Sequence, residues 1–510
     1  MKKQKGPEES PMPRIPAGRW YTVAGAMAAA FALVLVASSK YGLGADPDSV
    51  AYLSAADNVL AGRGLTLYDG TPFLSWPPLY PWLLAALSAV GLTTREAARY
   101  LHAVILAGIV LLYGRWLARH LRNTGLFVIG LLAILLARPL VFVSVFILSE
   151  PLFLMLVMGL LSILASPSPT LRLRSLIAAS LVAGAAVMTR YVGAAAILAG
   201  AILASGSNVI SLRRRLARLG IFTATSVLPL AVWLIRNRVT AGSMTGWRQS
   251  ARVSVIGHLG CLLDTVSLWF FPRVIGFPLR SIMILLLAAA VALILWFAAR
   301  RSRRSAPGVW PAISVQAVWT GVYLSCVVVL ASLVSFNLLQ SRLLSPVFPS
   351  LLFLLLLAAD RGPDLIGRPV IRRAVSFGAA VLMGGWLLLL HLYPDITTIQ
   401  MSRRFGVGGY SSAGWQETEM ADYLRRQPPS GPVYSNAPDA LYFLAGRSSQ
   451  LSPTRKESAP ALLGRSGTAL IWFNQADSHP GLQDLGSLLR QVPMTPRYFG
   501  KDGVVMLSDK

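Results

Sequence analysis

Apolar runs separated by short polar links fill residues 20–392, and the links collect the positive charge. The runs are 20–39, Leu101–Leu117, Leu126–Ser144, Pro151–Ala165, Leu176–Thr189, Val192–Ala204, Leu219–Ile235, Ser281–Ala299, Trp310–Ser335, Leu344–Ala359 and Ala374–Leu392. Such stretches predict helices that cross a bilayer. They lack period-two alternation, so helices rather than barrel strands are expected, because a backbone in lipid must satisfy its own hydrogen bonds. The expected fold class is an all-α polytopic membrane protein of about eleven transmembrane helices, carrying a C-terminal α/β domain.

Placing the links gives the orientation. Residues 1–19, rich in Lys and Pro, read as a disordered cytoplasmic tail, and 20–39 as an uncleaved anchor in preference to a signal peptide. Leu79–Leu92 is too short to span and is broken at its start by Pro77, Pro78 and Pro81, so it is expected as a half-buried helix at the outer surface. With the N-terminus inside, the dense Arg clusters fall on the cytoplasmic side, which is the positive-inside bias. These are Arg115, Arg119 and Arg122; Arg172 and Arg174; Arg213, Arg214, Arg215 and Arg218; Arg300, Arg301, Arg303 and Arg304; and Arg361, Arg368, Arg372 and Arg373. The first loop 40–100, a long loop at about 236–280 holding Trp247, Arg248, Arg252, Trp269 and Arg273, and the tail 393–510 are then outside. That tail changes character. Helices are expected at Glu417–Arg426 and Gly481–Val492, extended segments at Pro432–Ser435 and Ala469–Phe473, and a hairpin pairing Arg497–Phe499 with Val504–Leu507.

Composition narrows the function classes. Of 510 residues 55% are hydrophobic and only 13% charged, and mean hydropathy is +0.59; a soluble chain has about twice that charged share. A net charge of +26 would suggest nucleic acid in a soluble protein, but its placement between spans makes a membrane the partner and not nucleic acid. Cys261 and Cys326 lie in separate segments without ligand spacing. The chain has no Walker loop, His-Glu-x-x-His or paired Cys-x-x-Cys, so ATP-driven transport and zinc hydrolysis lose support.

Chemistry concentrates in the loop after the first span, where Asp46, Asp48, Asp57 and Asp69 precede Trp76-Pro77-Pro78-Leu79-Tyr80-Pro81. Asp46-Pro47 or Asp48-Ser49 would also cap an amphipathic helix over 48–61, and a cap at a membrane surface can face a cleft as well. Tyr52 lies one turn after Asp48 on the same face. Glu150 stands at the outer edge of a span, where the helix dipole favours a negative charge. Arg342 at an outer span mouth, with Arg190 and Arg236, is placed to hold an anionic headgroup or to snorkel at the interface. His102 and His391 read as packing residues; Trp76, Trp247 and Trp269 read as interface-belt aromatics.

Several of these stretches together carry a resemblance. They are Asp48-Ser49-Val50-Ala51-Tyr52-Leu53, Leu60-Ala61-Gly62-Arg63-Gly64-Leu65, Pro77-Pro78-Leu79-Tyr80-Pro81 and Ser149-Glu150-Pro151-Leu152-Phe153. Thr189-Arg190-Tyr191-Val192-Gly193, Trp233-Leu234-Ile235-Arg236-Asn237, Gln340-Ser341-Arg342-Leu343-Leu344-Ser345-Pro346 and Ser435-Asn436-Ala437-Pro438-Asp439 follow in the same order. Taken together the chain resembles GT-C fold glycosyltransferases, in the branch of protein O-mannosyltransferases and aminoarabinose transferases. The resemblance implies a polyprenyl-phosphate-linked sugar donor, an outward-facing site in the plasma (inner) membrane, a lipid, glycan or protein acceptor, and inversion at the anomeric carbon. It implies a general base at Asp48. The second acidic position, Asp in several relatives, is Glu150 here, which leaves metal, acceptor and structural roles open for it. The motif demands no cofactor, and metal use is undecided: a divalent cation held by Asp48, Glu150 and nearby carboxylates stays open. Arg342, Arg190 and Arg236 are the candidates for the donor phosphate; Tyr52, Asp46 and Tyr80 are those for substrate contact. A lipid-sugar flippase or transporter, and an oligosaccharide ligase or polymerase, are the alternatives.

Overall fold

The computed structural model describes residues 15–508 apart from 166–170, 206–210, 247, 249, 252, 303–308, 335–338, 428 and 477–480. The tail to residue 14, Trp247, Arg252, Arg303 and Arg304 therefore lie outside the described residues.

The expected spans appear as helices. They are α1 (Ala17–Ala37), then α2 (Pro47–Leu60) and α3 (Leu79–Ser88) of the first loop, and α4 (Thr94–His120). The run at Leu126–Ser144 is broken into α5 (Thr124–Leu136) and α6 (Arg138–Val145). Ala137 between them is extended, and Pro139, lacking an N–H, fits only the first turn of a new helix. The bundle continues with α7 (Glu150–Leu164), α8 (Leu173–Thr189), α9 (Ala194–Ser205) and α10 (Leu212–Ala241). The long outer loop at about 236–280 contains α11 (Val255–Phe270), a helix for which the sequence reading named no element. Then come α12 (Phe277–Ser302), α13 (Val309–Leu333), the single-turn α14 (Ser341–Leu344), α15 (Phe348–Arg361), α16 (Pro369–Leu387) and α17 (Tyr393–Phe405).

Among the described residues, eight helical segments are long and apolar enough to cross a membrane, α5 and α6 counting as one. The expected spans of α7, α8 and α9 fall on shorter apolar helices. Leu285, Leu286 and Leu293 of α12 are more than half exposed, as lipid-facing leucines must be. The final span does not stop at 392. Helix continues through a π-turn at Leu388–Leu392 to Phe405, 37 residues in all, and ends at Gly406.

One end of the bundle gathers chain ends that the charge pattern places together. Arg19 donates to the carbonyls of Ala118 (2.9 Å) and Leu121 (2.7 Å), Arg361 donates to His120 O (2.7 Å), and Arg122 pairs with Asp364 at 2.6 Å. At the opposite end of α4, Thr94 donates to Asp57 of α2 (2.9 Å), so the first loop sits one helix length away, about 40 Å.

The C-terminal domain holds α18 (Ala413–Gln416), α19 (Glu419–Arg426), β1 (Val433–Ser435), α20 (Pro438–Ala445), β2 (Gln450–Leu451), α21 (Ala459–Leu463), β3 (Ala469–Phe473), α22 (Leu485–Gln491), β4 (Met494–Phe499) and β5 (Gly503–Ser508). The sheet order is β2-β1-β3-β5-β4, parallel across β2, β1 and β3 and antiparallel across β3, β5 and β4. Successive side chains of a strand face opposite sides. Ala469, Ile471 and Phe473 accordingly pack with α19 and α20, while Leu470 packs with α21 and α22. The expected strand, hairpin and two helices are all present; α20, which lies between two of them, is the helix that reaches the membrane domain.

Candidate active site

The site begins with an extended segment, 43–46, held on both sides. Gly44 N donates to Val145 O and Ile147 N to Gly44 O, each at 2.9 Å, while Tyr410 N donates to Ala45 O at 2.9 Å. The approach of residues 408–410 needs glycine at 409, where φ is +57° and a Cβ would lie 1.9 Å from Ala45 O. Clamped in this way, the segment delivers Asp46 as the N-cap of α2. Its carboxylate accepts from Ser49 N and Ser49 Oγ, both at 2.9 Å, and Ser49 Oγ accepts from Asp46 N at 3.0 Å. Pro47 occupies the first helical position, and Asp48 follows in the first turn.

Arg342 joins the acids. Its Nε donates to Glu150 Oε1 (2.5 Å), its Nη1 to Asp46 Oδ2 (3.0 Å) and its Nη2 to Asp48 Oδ2. The planar guanidinium presents its donors in a rigid fork, and here every nitrogen of that fork meets a different carboxylate. Arg190 Nη1 lies 2.8 Å from Glu150 Oε2, an ion-pair contact, and donates to Ser149 Oγ at 3.1 Å. The Glu150 side chain is only 2% exposed, against 31% for Asp48 and 27% for Asp46; Asp46 is tied up as the cap of α2, which leaves Asp48 as the reachable carboxylate with fewer partners.

Five of the sequence-predicted residues thus form one cluster: Asp46, Asp48, Glu150, Arg190 and Arg342. Three carboxylates face two guanidiniums, leaving one formal negative charge in excess. Burial and the neighbouring Asp48 push the Asp46 carboxyl up, and Arg342 works against that shift.

Tyr52 touches the edge of the cluster, its hydroxyl 3.0 Å from Ser149 Oγ. Its ring meets Tyr80, Trp76 and Phe73 at centroid distances of 5.0, 5.8 and 6.3 Å. Tyr80 is fully buried and bonds His102 Nε2 at 2.7 Å, so it supports Tyr52 instead of facing the cleft. His102, expected as a packing residue, is buried there. Arg236 stands apart: it lies over the Trp233 ring (5.0 Å) and donates to Asn237 Oδ1 (3.0 Å). Trp269, expected at the lipid interface, is 3% exposed and packed inside the protein.

One participant escaped sequence reasoning. Ser149, which bonds both Arg190 and Tyr52, was visible only as the residue before Glu150. Arg248 reaches back from the loop before α11 to donate to Ser75 O (2.8 Å), beside the Tyr191 ring. Among the described residues, no group of three or more His, Cys, Asp or Glu converges to hold a metal ion. The oxygens that would ligate a cation face guanidinium nitrogens instead.

No family model and no curated protein sequence matches the chain. Its structure does have counterparts. ArnT from Cupriavidus metallidurans in the apo state matches with a TM-score of 0.60 at 16% identity, covering 96% of this chain and 98% of that one. The same protein bound to undecaprenyl phosphate matches at 0.59 and 17% identity, with the same coverage. The arabinofuranosyltransferase AftD from Mycobacteria matches at 0.53 and 15% identity over 98% of this chain, which spans 40% of AftD's length. The chain therefore has the GT-C fold of these multi-pass membrane proteins.

Proposed function

We propose that the protein is an inverting glycosyltransferase that moves a sugar from a polyprenyl-phosphate-linked donor to an acceptor hydroxyl on the outer face of the plasma membrane. The observation that carries this reading is the cluster itself: a reachable carboxylate, Asp48, sharing a guanidinium with a buried one, Glu150. A polyprenyl phosphate is already a good leaving group, so the reaction needs a base on the acceptor side rather than an acid on the donor side. A glycoside hydrolase would instead want two reachable carboxyls flanking the bond.

In the proposed reaction the donor phosphate takes N–H groups of Arg342 that Asp48 holds in the resting protein, with Arg190 close behind. Asp48, released from its pair, accepts the proton of the acceptor hydroxyl as that oxygen attacks the anomeric carbon. The bond from that carbon to the phosphate oxygen breaks, and its electron pair leaves with polyprenyl phosphate. No metal takes part in these steps; the fixed positive charge comes from arginine.

The likeness to a structure holding undecaprenyl phosphate supports a lipid-phosphate donor, and the Arg pattern supports a cytoplasmic N-terminus with the C-terminal domain outside. The test is transfer by purified full-length chain in lipid nanodiscs, given a radiolabelled polyprenyl-phosphate sugar and a membrane-glycan extract. Label should move from lipid to acceptor at a rate unchanged by chelator. Transport of the intact lipid-sugar across proteoliposomes without a new glycosidic bond would instead establish a flippase.

A further inference from the structure

Arg342 is held by more than its carboxylates. The residues just before it are fixed from α11: Thr265 Oγ1 donates to Leu339 O (2.9 Å), and Trp269 Nε1 to Ser341 Oγ (3.2 Å). Those after it are fixed from α13, where Tyr323 OH donates to Leu343 O (2.7 Å) and Trp319 Nε1 to Pro346 O (3.2 Å).

The α11 strut is itself anchored at one atom. The last carbonyls of a helix lack intrahelical donors, and Trp269 O, in the last turn of α11, receives two from elsewhere. Trp386 Nε1 donates to it at 3.1 Å and His391 Nε2 lies 3.2 Å away. In an α-helix, residues five apart point in different directions. The i→i+5 turn at Leu388–Leu392 brings positions five apart onto one face, which lets Trp386 and His391 converge on a single oxygen. His391 is 2% exposed, and donation from Nε2 requires the tautomer with its proton there.

We propose that the π-turn pair Trp386 and His391, acting through Trp269 and Ser341, positions the Arg342 guanidinium and so sets the affinity for the donor phosphate. These are positioning residues: none of them touches Asp46, Asp48 or Glu150, and they reach Arg342 through the hydroxyl of Ser341, the residue before it. The proposal rests on the reading of Arg342 as the phosphate holder.

The experiment measures binding of undecaprenyl phosphate, and donor KM against kcat, on the full chain in nanodiscs. His391→Leu removes one of the two donors to Trp269 O, leaving Trp386 alone, whereas His391→Gln keeps an N–H near the same place. A lost hydrogen bond of ordinary strength predicts a rise of about fivefold in the donor concentration at half saturation. That rise is expected in His391→Leu and in Ser341→Ala, with acceptor KM unchanged and with recovery in His391→Gln. The double variant His391→Leu/Ser341→Ala should be no worse than either single one, because both cut the same relay. Unchanged donor affinity in Ser341→Ala, or effects that multiply in the double variant, would overturn the proposal; Ser341→Ala keeps it testable should His391→Leu fail to fold. Arg342→Ala is the separate control. If it binds the lipid as well as wild type, the phosphate-holder reading falls, and this proposal with it.

Discussion

Arg342 and its three carboxylates give different residues of one cluster different roles, and the costs of removing them should differ accordingly. Glu150→Gln leaves two guanidiniums facing a buried neutral amide, and breaking such a pair costs about 3–5 kcal/mol. Asp46→Ala removes a helix cap, worth about 1 kcal/mol, and a partly exposed pair with Arg342 that adds about 1 kcal/mol at most. Thermal unfolding in detergent should therefore place Glu150→Gln well below Asp46→Ala. The reverse order would mean that the interior pair contributes little. At this scale the sequence carried depth but not direction. Asp48, Glu150, Arg190 and Arg342 were recognisable because charges at outer span ends are few and each needs a partner. Arg236 has the same address, yet Trp233, three residues earlier on the same helical face, holds it by a cation–π contact. Ser149 carries no charge and so gave no signal of its own.

Elements hold these residues in place through contacts that no periodicity reveals. The segment 408–410 comes from the end of the membrane domain and clamps residues 44–46, with Gly409 at the closest approach. Gly409→Ala should cost about 1–3 kcal/mol from backbone strain alone, and the clash with Ala45 O adds to it by displacing the segment that carries Asp46. The expected outcome is a lowered Tm together with a loss of transfer. Gly414→Ala, at a position where a Cβ meets nothing within 4 Å, is the control that should change neither. Long apolar helices such as α4, α12 and α13 could be read directly from hydropathy. Helix α11 could not, because its apolar face is interrupted by His258 and Asp264 within a loop of mixed polarity. The π-turn left no trace in the sequence either, since its five residues are Leu, Leu, Leu, His and Leu.

For the whole molecule, hydropathy marked the long helices and the ordered motifs carried the likeness to the GT-C fold, while positive charge between spans bears on orientation alone. The C-terminal domain joins the first loop through named contacts: Tyr442 OH donates to Asp57 (2.8 Å), and the Arg95 guanidinium stacks 3.9 Å over the Phe443 ring. Orientation can be checked in cells with Cys261 and Cys326 replaced by Ser. Membrane-impermeant maleimide should label Ser466→Cys on the C-terminal domain and spare Arg214→Cys, both at exposed positions; the opposite pattern would invert the topology. The chemistry of the full chain is tested most directly by sugar transfer from a labelled polyprenyl-phosphate donor in Asp48→Asn. The account predicts that this variant expresses, binds undecaprenyl phosphate at least as well as wild type, and transfers no sugar. Transfer at a near wild-type rate would contradict it.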